Sequence, residues 1–184
     1  MVLMETPICN FGQKAHDFKL PDVNGKLWTL ADCVGKKGTL VMFICNHCPY
    51  VKAIQTRLVE NTLALLDIGI NSVAIMSNDP VDYPEDSPEN MKKVAEQFSY
   101  PFPYLFDETQ EVAKAYGAIC TPDFFGYNAN LELQYRGRLD ASGMQPATKE
   151  TRRDLLEAMT SVANTGQGPR KQIPSMGCSI KWKK

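Results

Sequence analysis

Residues 40–44, Leu-Val-Met-Phe-Ile, run directly into Cys45-Asn46-His47-Cys48-Pro49. An unbroken apolar run of this length predicts a strand with both faces buried, as in the middle of a parallel α/β sheet. Pro49 suits the first position of a helix, where its missing N–H has no partner to lose, and this makes Cys48 the residue that caps the helix. Two thiols therefore stand where a buried strand meets a helix. A helix start carries unpaired N–H groups and partial positive charge, which favour a thiolate over a thiol, and the thiolate is the species that attacks disulfides. Six cysteines in 184 residues produce a C-x-x-C by composition alone in roughly one chain in five, so the surroundings must give the pair its meaning.

Those surroundings read as alternating strands and helices. Phe18-Lys19-Leu20 and Leu27-Trp28-Thr29-Leu30 flank Asn24-Gly25, a dipeptide suited to a tight hairpin turn. Beyond the cysteines, Val51, Ile54, Leu58, Thr62 and Leu65 keep helical spacing up to Gly69, which predicts one helix of about five turns. Val73-Ala74-Ile75-Met76 reads as a second buried strand, and the β-α-β order implies a parallel pair with a right-handed crossover. Ser77 to Asp86 is a turn-rich loop, after which Ser87-Pro88 opens a helix with Met91, Val94, Ala95 and Phe98 on one face. Tyr104-Leu105-Phe106, close behind Pro101 and Pro103, predicts a short edge strand. A short helix over Val112, Ala115 and Tyr116 ends at Gly117. Phe124 to Tyr127, the turn 128–130 and the alternating Leu131, Leu133 and Tyr135 predict a second, antiparallel hairpin with the alternating residues on one face. A last helix after Thr148 turns Leu155, Ala158, Met159 and Val162 to one side and stops near Gly166.

The chain suits one well-cored domain. The expected division is a domain over residues 1–165, N-terminal hairpin included, and a tail over 166–184. Gly, Pro and Lys dominate that tail, which either hangs loose or docks through Ile180 and Trp182. Twenty basic and twenty-one acidic residues leave a net charge of −1, so no global field recruits nucleic acid or an anionic membrane. The opening residues lack a basic start followed by an apolar stretch, which predicts a cytoplasmic protein. Outside secretion, six cysteines point to thiols, metal ligands or catalytic pairs rather than a disulfide framework.

The element order, with C-x-x-C at the strand-to-helix junction, resembles the thioredoxin fold, and over about residues 10 to 165 its redoxin branch. The strings Cys45-Asn46-His47-Cys48-Pro49-Tyr50-Val51-Lys52, Cys120-Thr121-Pro122-Asp123-Phe124-Phe125 and Gly177-Cys178-Ser179-Ile180-Lys181-Trp182 carry the likeness. Together they look like the peroxiredoxin-like, AhpC-TSA-like thiol-disulfide oxidoreductases. The resemblance implies an α/β fold with a mixed central sheet flanked by helices, here with an added N-terminal hairpin. It also implies a cis Pro122 facing the active cysteine. Its usual spacing, five residues beyond a strand phenylalanine, picks out Cys48 from Phe43 and leaves Val51 where a partner thiol is expected. A resolving thiol then comes from Cys45, Cys178 or Cys120. In the other register Cys45 attacks and Cys48 resolves.

The reading is a thiol-disulfide oxidoreductase with Cys48 and Cys45 as the redox pair and His47 tuning the thiols through a hydrogen bond or charge. Tyr50, Thr121 and Pro122 shape the substrate groove, and Cys178 and Cys120 are the further candidates for a resolving thiol. No organic cofactor is needed, because the dithiol stores the electrons. Expected partners are protein or small-molecule disulfides and a reducing system. A peroxiredoxin-like thiol peroxidase is the alternative, but the threonine such enzymes place three residues before the reactive cysteine is Met42 or Cys45 here. Arg136 and Arg138, which would supply that chemistry with a cation, read as a solvated strand face. A third reading is a non-enzymatic thiolate metal-binding protein, with Cys45, His47, Cys48 and Cys178 or Cys120 offering sulfur and nitrogen to zinc or copper(I). The reading adopted assigns no metal. Cys9 and Cys33 lie outside any motif and read as structural.

Overall fold

The computed structural model describes residues 2–184. In chain order the elements are β1 (Leu3–Glu5), β2 (Lys19–Pro21), β3 (Leu27–Thr29), α1 (Leu30–Cys33), β4 (Gly38–Phe43), α2 (Pro49–Lys52), α3 (Gln55–Asp67) and β5 (Ile70–Met76). There follow α4 (Pro88–Gln97), β6 (Tyr104–Phe106), α5 (Glu111–Tyr116), β7 (Cys120–Thr121), β8 (Asp123–Asn128), β9 (Leu133–Tyr135), α6 (Asp154–Thr165) and β10 (Met176–Ser179).

Five strands form the central sheet in the order β6-β5-β4-β8-β9. β4, β5 and β6 run parallel, and β8 and β9 are antiparallel. This is a thioredoxin-like α/β fold with a mixed sheet. Successive residues of a strand point to opposite faces, so β4 serves two cores. Leu40, Met42 and Ile44 pack with Leu58 and Leu65 of α3 and Leu155 and Met159 of α6. Val41 and Phe43 pack with Phe18, Leu20 and Leu30 of the hairpin region and with Ala113 and Tyr116 of α5. The proline-flanked Tyr104–Phe106 segment lies at the sheet edge, and the Asn24-Gly25 turn joins β2 to β3 with Gly25 at φ +82°.

Four expectations need correction. The helix after the cysteines is two pieces, α2 and α3, broken at Ala53 and Ile54. The Ile54 amide turns to the carbonyl of Val51, a tighter three-residue closure, and the Arg57 guanidinium takes the Ala53 carbonyl at 3.2 Å. Leu133 and Tyr135 do not share a face: Leu133 packs with Phe18 and Leu20, and Tyr135 with Leu40 and Met42. The cause is a bulge, since Gly126 pairs with Tyr135 but Tyr127 pairs with Leu133, which leaves Gln134 as an extra residue. Arg136 is buried and not solvated, held by both oxygens of Asp123 at 2.8 and 3.2 Å.

The fourth correction concerns the tail. β10 lies hydrogen-bonded between β1 and β7, Ile180 is buried, and Trp182 is exposed beside the Lys114 ammonium rather than acting as an anchor. Among the described residues no helix is long and apolar enough to cross a membrane.

Candidate active site

Four of the six cysteines meet at one end of the sheet. β4 delivers Cys45 through Ile44, whose amide still bonds the Ile75 carbonyl at 3.1 Å. Cys48 caps α2 with Pro49 at the first helical position. β7 brings Cys120 and Thr121, and the Thr121–Pro122 peptide bond is cis. β10 brings Cys178 opposite Thr121. Cys45, Cys48, Cys120 and Cys178 are buried thiols.

Thr121 touches both cysteines of the C-x-x-C. Its hydroxyl is 3.2 Å from Cys45 Sγ, and its carbonyl is 3.1 Å from Cys48 Sγ, which donates to it when protonated. Opposing that carbonyl, the Cys45 thiol and then the thiol and amide of Cys178 donate to the Cys48 sulfur, and the Val51 amide adds to them. Several donors outweigh one acceptor and the burial penalty, and Cys48 is drawn well below the ordinary thiol range. The proton stays on its neighbours. Burial, and next the hydrogen bond to Cys48, push Cys45 up, while the same two causes raise Cys178 to about 12. Burial also lifts Cys120, whose thiol points to the Pro122 carbonyl at 3.8 Å. Cys33 and Cys9 sit apart from the cluster, raised by burial to about 12 and about 11.

His47 is mostly enclosed. Its ring stacks on Tyr83 at 5.1 Å between centroids, and its Nδ1 lies 2.5 Å from Asp86 Oδ2 and 3.8 Å from Cys45 Sγ. Asp86 also accepts from the amides of Asn46 and His47 at 2.7 and 3.1 Å, and from Asn78 Nδ2 at 2.8 Å. Burial alone would raise this carboxyl, but the hydrogen bonds from His47 and Asn78 prevail and hold it below its usual value. An ionised carboxylate only accepts, so Nδ1 carries the proton between them. Asp86 therefore fixes the backbone of the 46–47 turn and the imidazole together. Asn46 is held further by Tyr104, whose hydroxyl donates to its side chain at 3.1 Å.

Asp86, Asn78 and Tyr83 were not legible as site residues, because nothing in the spacing of the loop 77–86 marks them as partners of a motif some 30 to 40 positions earlier. Cys45, His47 and Asp86 place ligand atoms within 4.8 Å of one another. His47 Nδ1 and Asp86 Oδ2, at 2.5 Å, are hydrogen-bonded to each other and closer than two ligands of one tetrahedral metal stand, so a metal on Nδ1 would have to displace that contact.

Tyr50 and Pro122 line a cavity of about 330 Å³ beside the thiols, together with Ile54, Phe124, Leu139 and Met144. Thr121 does not line it, being turned to the sulfurs.

Residues 11–142 match the model of the AhpC/TSA family. No curated protein matches the chain. An uncharacterized conserved protein from Geobacillus kaustophilus is 48% identical, with a TM-score of 0.93 over 100% of this chain and 97% of that one. A hypothetical protein from Sinorhizobium meliloti 1021 is 40% identical, with a TM-score of 0.91 over 97% of each chain. The thioredoxin domain of a thiol-disulfide oxidoreductase from Bacteroides vulgatus shares the fold at 18% identity and a TM-score of 0.61, over 84% of this chain and 96% of that one. The match spans well over half of the chain and takes in β4, α2 and β7, which bring Cys45, Cys48 and Cys120 together, though not β10: this protein belongs to the AhpC/TSA family of thioredoxin-fold redoxins.

Proposed function

We propose that the protein is a thiol-disulfide oxidoreductase in which Cys48 attacks and Cys45 resolves. The observation that carries this reading is geometric: Cys48 caps α2 with Pro49 at its first position, Thr121 bridges it to Cys45 at 3.1 and 3.2 Å, and β10 sets Cys178 opposite Thr121, surroundings that favour the Cys48 thiolate. That thiolate attacks one sulfur of a substrate disulfide, forms a mixed disulfide and expels the first substrate thiolate. Cys48 then no longer carries charge, so two causes that raise Cys45, its hydrogen bond to Cys48 and the Cys48 charge, disappear. The Thr121 hydroxyl still lowers it. Cys45 loses its proton and attacks the Cys48 sulfur, and the second substrate thiolate leaves. The substrate disulfide ends as two thiols, one proton coming from Cys45 and the other from solvent because Cys48 entered as the thiolate, and Cys45–Cys48 is left as a disulfide for an external dithiol to reduce.

His47, its Nδ1 hydrogen held by Asp86, packs 3.8 Å from Cys45 Sγ and fixes the turn that carries it, while the Thr121 hydroxyl is the group that favours the Cys45 thiolate. Cys178, bonded to the Cys48 sulfur, is an alternative resolving thiol. Cys120 faces the Pro122 carbonyl and is less suited to that role. Membership of the AhpC/TSA family supports a peroxidase as a second reading.

Single-turnover reduction of a disulfide, with trapping of the mixed species, tests the proposal. Cys48→Ser should abolish the reaction, whereas Cys45→Ser should form the mixed disulfide and release it slowly. The reverse pattern would move the attack to Cys45. Loss of hydrogen peroxide, with no reaction toward any disulfide, would replace the proposal with the peroxidase.

A further inference from the structure

The edge of a strand beside a reactive thiol is a docking line for peptides, because its unpaired N–H and C=O groups accept an extended chain as one more strand. Here β7 is that strand, and the protein's own C-terminal segment occupies it. Cys178 pairs with Thr121 and Ser179 with Cys120, while Leu3, Met4 and Glu5 of β1 close the far side of β10. The approach is tight. A Cβ on Gly177 would come within 2.0 Å of the Thr121 carbonyl oxygen and 2.5 Å of its carbon.

The segment is also fastened before and after the strand. Ser175 donates its hydroxyl to the Pro122 carbonyl at 2.8 Å, the Ile180 amide bonds the Ile119 carbonyl at 3.0 Å, and the Lys181 amide bonds Asn78 at 2.8 Å. With this cover in place, Cys48 is 0% exposed and Cys45 1%.

What remains open is the cavity beside Tyr50 and Pro122. Its volume of about 330 Å³ falls at the lower end of the range for small-molecule sites. Its lining is mainly apolar, and Met144, Ile173 and Met176, three of the large hydrophobic side chains left substantially exposed, gather there. Of its charged members Arg138 is engaged with Asp154 and Asp140 with Arg57, and Glu5 of β1 lies exposed at the lining.

We propose that the substrates of this site are small disulfides carrying an apolar group, and that β10 excludes extended protein segments from the Thr121–Pro122 edge. The proposal rests on the dithiol reading above and adds the substrate class. The apolar group sits in the cavity against Tyr50, Ile54 and Phe124; Cys48 does not line the cavity, and a shift of the half-buried Tyr50 side chain, with β10 in place, opens the Cys48 sulfur to a small disulfide. A protein disulfide requires β10 to leave first.

The test compares 4,4′-dithiodipyridine, cystine and insulin as oxidants of the reduced protein, each rate divided by that of a free cysteine thiol with the same disulfide. The normalised rate for dithiodipyridine should exceed that for insulin by on the order of a hundredfold, the factor expected when a docked strand must open locally before reaction. Cystine should fall below dithiodipyridine. Gly177→Val, which cannot keep the close approach, should raise the insulin rate about tenfold with the dithiodipyridine rate little changed. Ile173→Glu, at an exposed position of the lining, should lower the dithiodipyridine rate by a larger factor than the cystine rate, and it keeps the test open if Gly177→Val does not fold. Equal normalised rates for insulin and dithiodipyridine in the unaltered protein would overturn the proposal while leaving the dithiol reading intact. Failure of all three disulfides to react would overturn both.

Discussion

Asp86 Oδ2 and His47 Nδ1 lie 2.5 Å apart although 39 residues separate them in the chain. The carboxylate belongs to a single 3₁₀ turn, Pro84–Asp86, and the imidazole to the loop between two cysteines. The same carboxylate receives the amides of residues 46 and 47. One buried charge thus sets the shape of the C-x-x-C turn, the tautomer of its histidine, and through Asn78 the position of the C-terminal segment, since Asn78 also accepts from the Lys181 amide.

Asp86→Asn should therefore destabilise the fold at neutral pH by about 2–4 kcal/mol, the range for replacing a buried charge that accepts several hydrogen bonds. The folded carboxyl lies below its ordinary value of 3.8. Its contribution is therefore complete above that pH and is lost as pH falls through the folded value. Urea unfolding of both proteins at pH 7 and near pH 3 checks this. The gap should be wide at the first pH and narrow at the second, and a gap of constant size would mean that the carboxylate charge is not what stabilises the turn.

The C-x-x-C, Pro49 and the apolar strand were legible because each depends on neighbours in sequence: burial demands apolar side chains, and helix geometry suits proline at its first turn. Thr121 and Pro122 were reached only through family likeness, and the contacts of Thr121 with Cys45 and Cys48 span 76 and 73 residues. The helix break at Ala53 was hidden because an apolar spacing of three and four persists across it, while a side chain, Arg57, takes a backbone acceptor. The bulge at Gln134 was hidden for the analogous reason in a strand: alternation predicts one face, and one extra residue exchanges the faces. Polar partners such as Asp86 leave no periodic trace at all.

Arg136→Met should cost about 3–5 kcal/mol, because it strands the Asp123 carboxylate, 0% exposed, without its cation. Burial already raises Asp123 against the pull of Arg136, so a carboxyl with its folded value above its unfolded one penalises the fold as pH rises and releases the penalty as it is protonated. The variant's deficit should shrink on acidification, and the second substitution Asp123→Asn should recover much of it at pH 7. Denaturant midpoints of the single and double variants at two pH values decide this, and a double variant no more stable than the single one would show that the lost packing of Arg136 over Phe125, and not the charge, sets the cost.

The attacking thiol should also declare itself by pH. Hydrogen bonds from Cys45 and Cys178 bring Cys48 down to about 4, whereas burial holds Cys178 near 12 and raises Cys45 as well. Since thiol-disulfide exchange follows the thiolate, the rate with a small reagent that stays reactive in acid, such as 4,4′-dithiodipyridine, should be nearly level from neutral pH down to about pH 5 and fall only below it. Free cysteine, with its ordinary value, loses about tenfold per pH unit over the same span. Removing a donor should move the midpoint upward: Cys45→Ala, lacking the largest stabilising hydrogen bond, should shift it furthest, and Cys178→Ala less. Stopped-flow rates between pH 3 and 9 measure all three profiles. A midpoint between 8 and 9 in the unaltered protein would show that the buried thiol does not ionise early, and an unchanged midpoint in Cys45→Ala would show that the neighbouring thiol is not what lowers it.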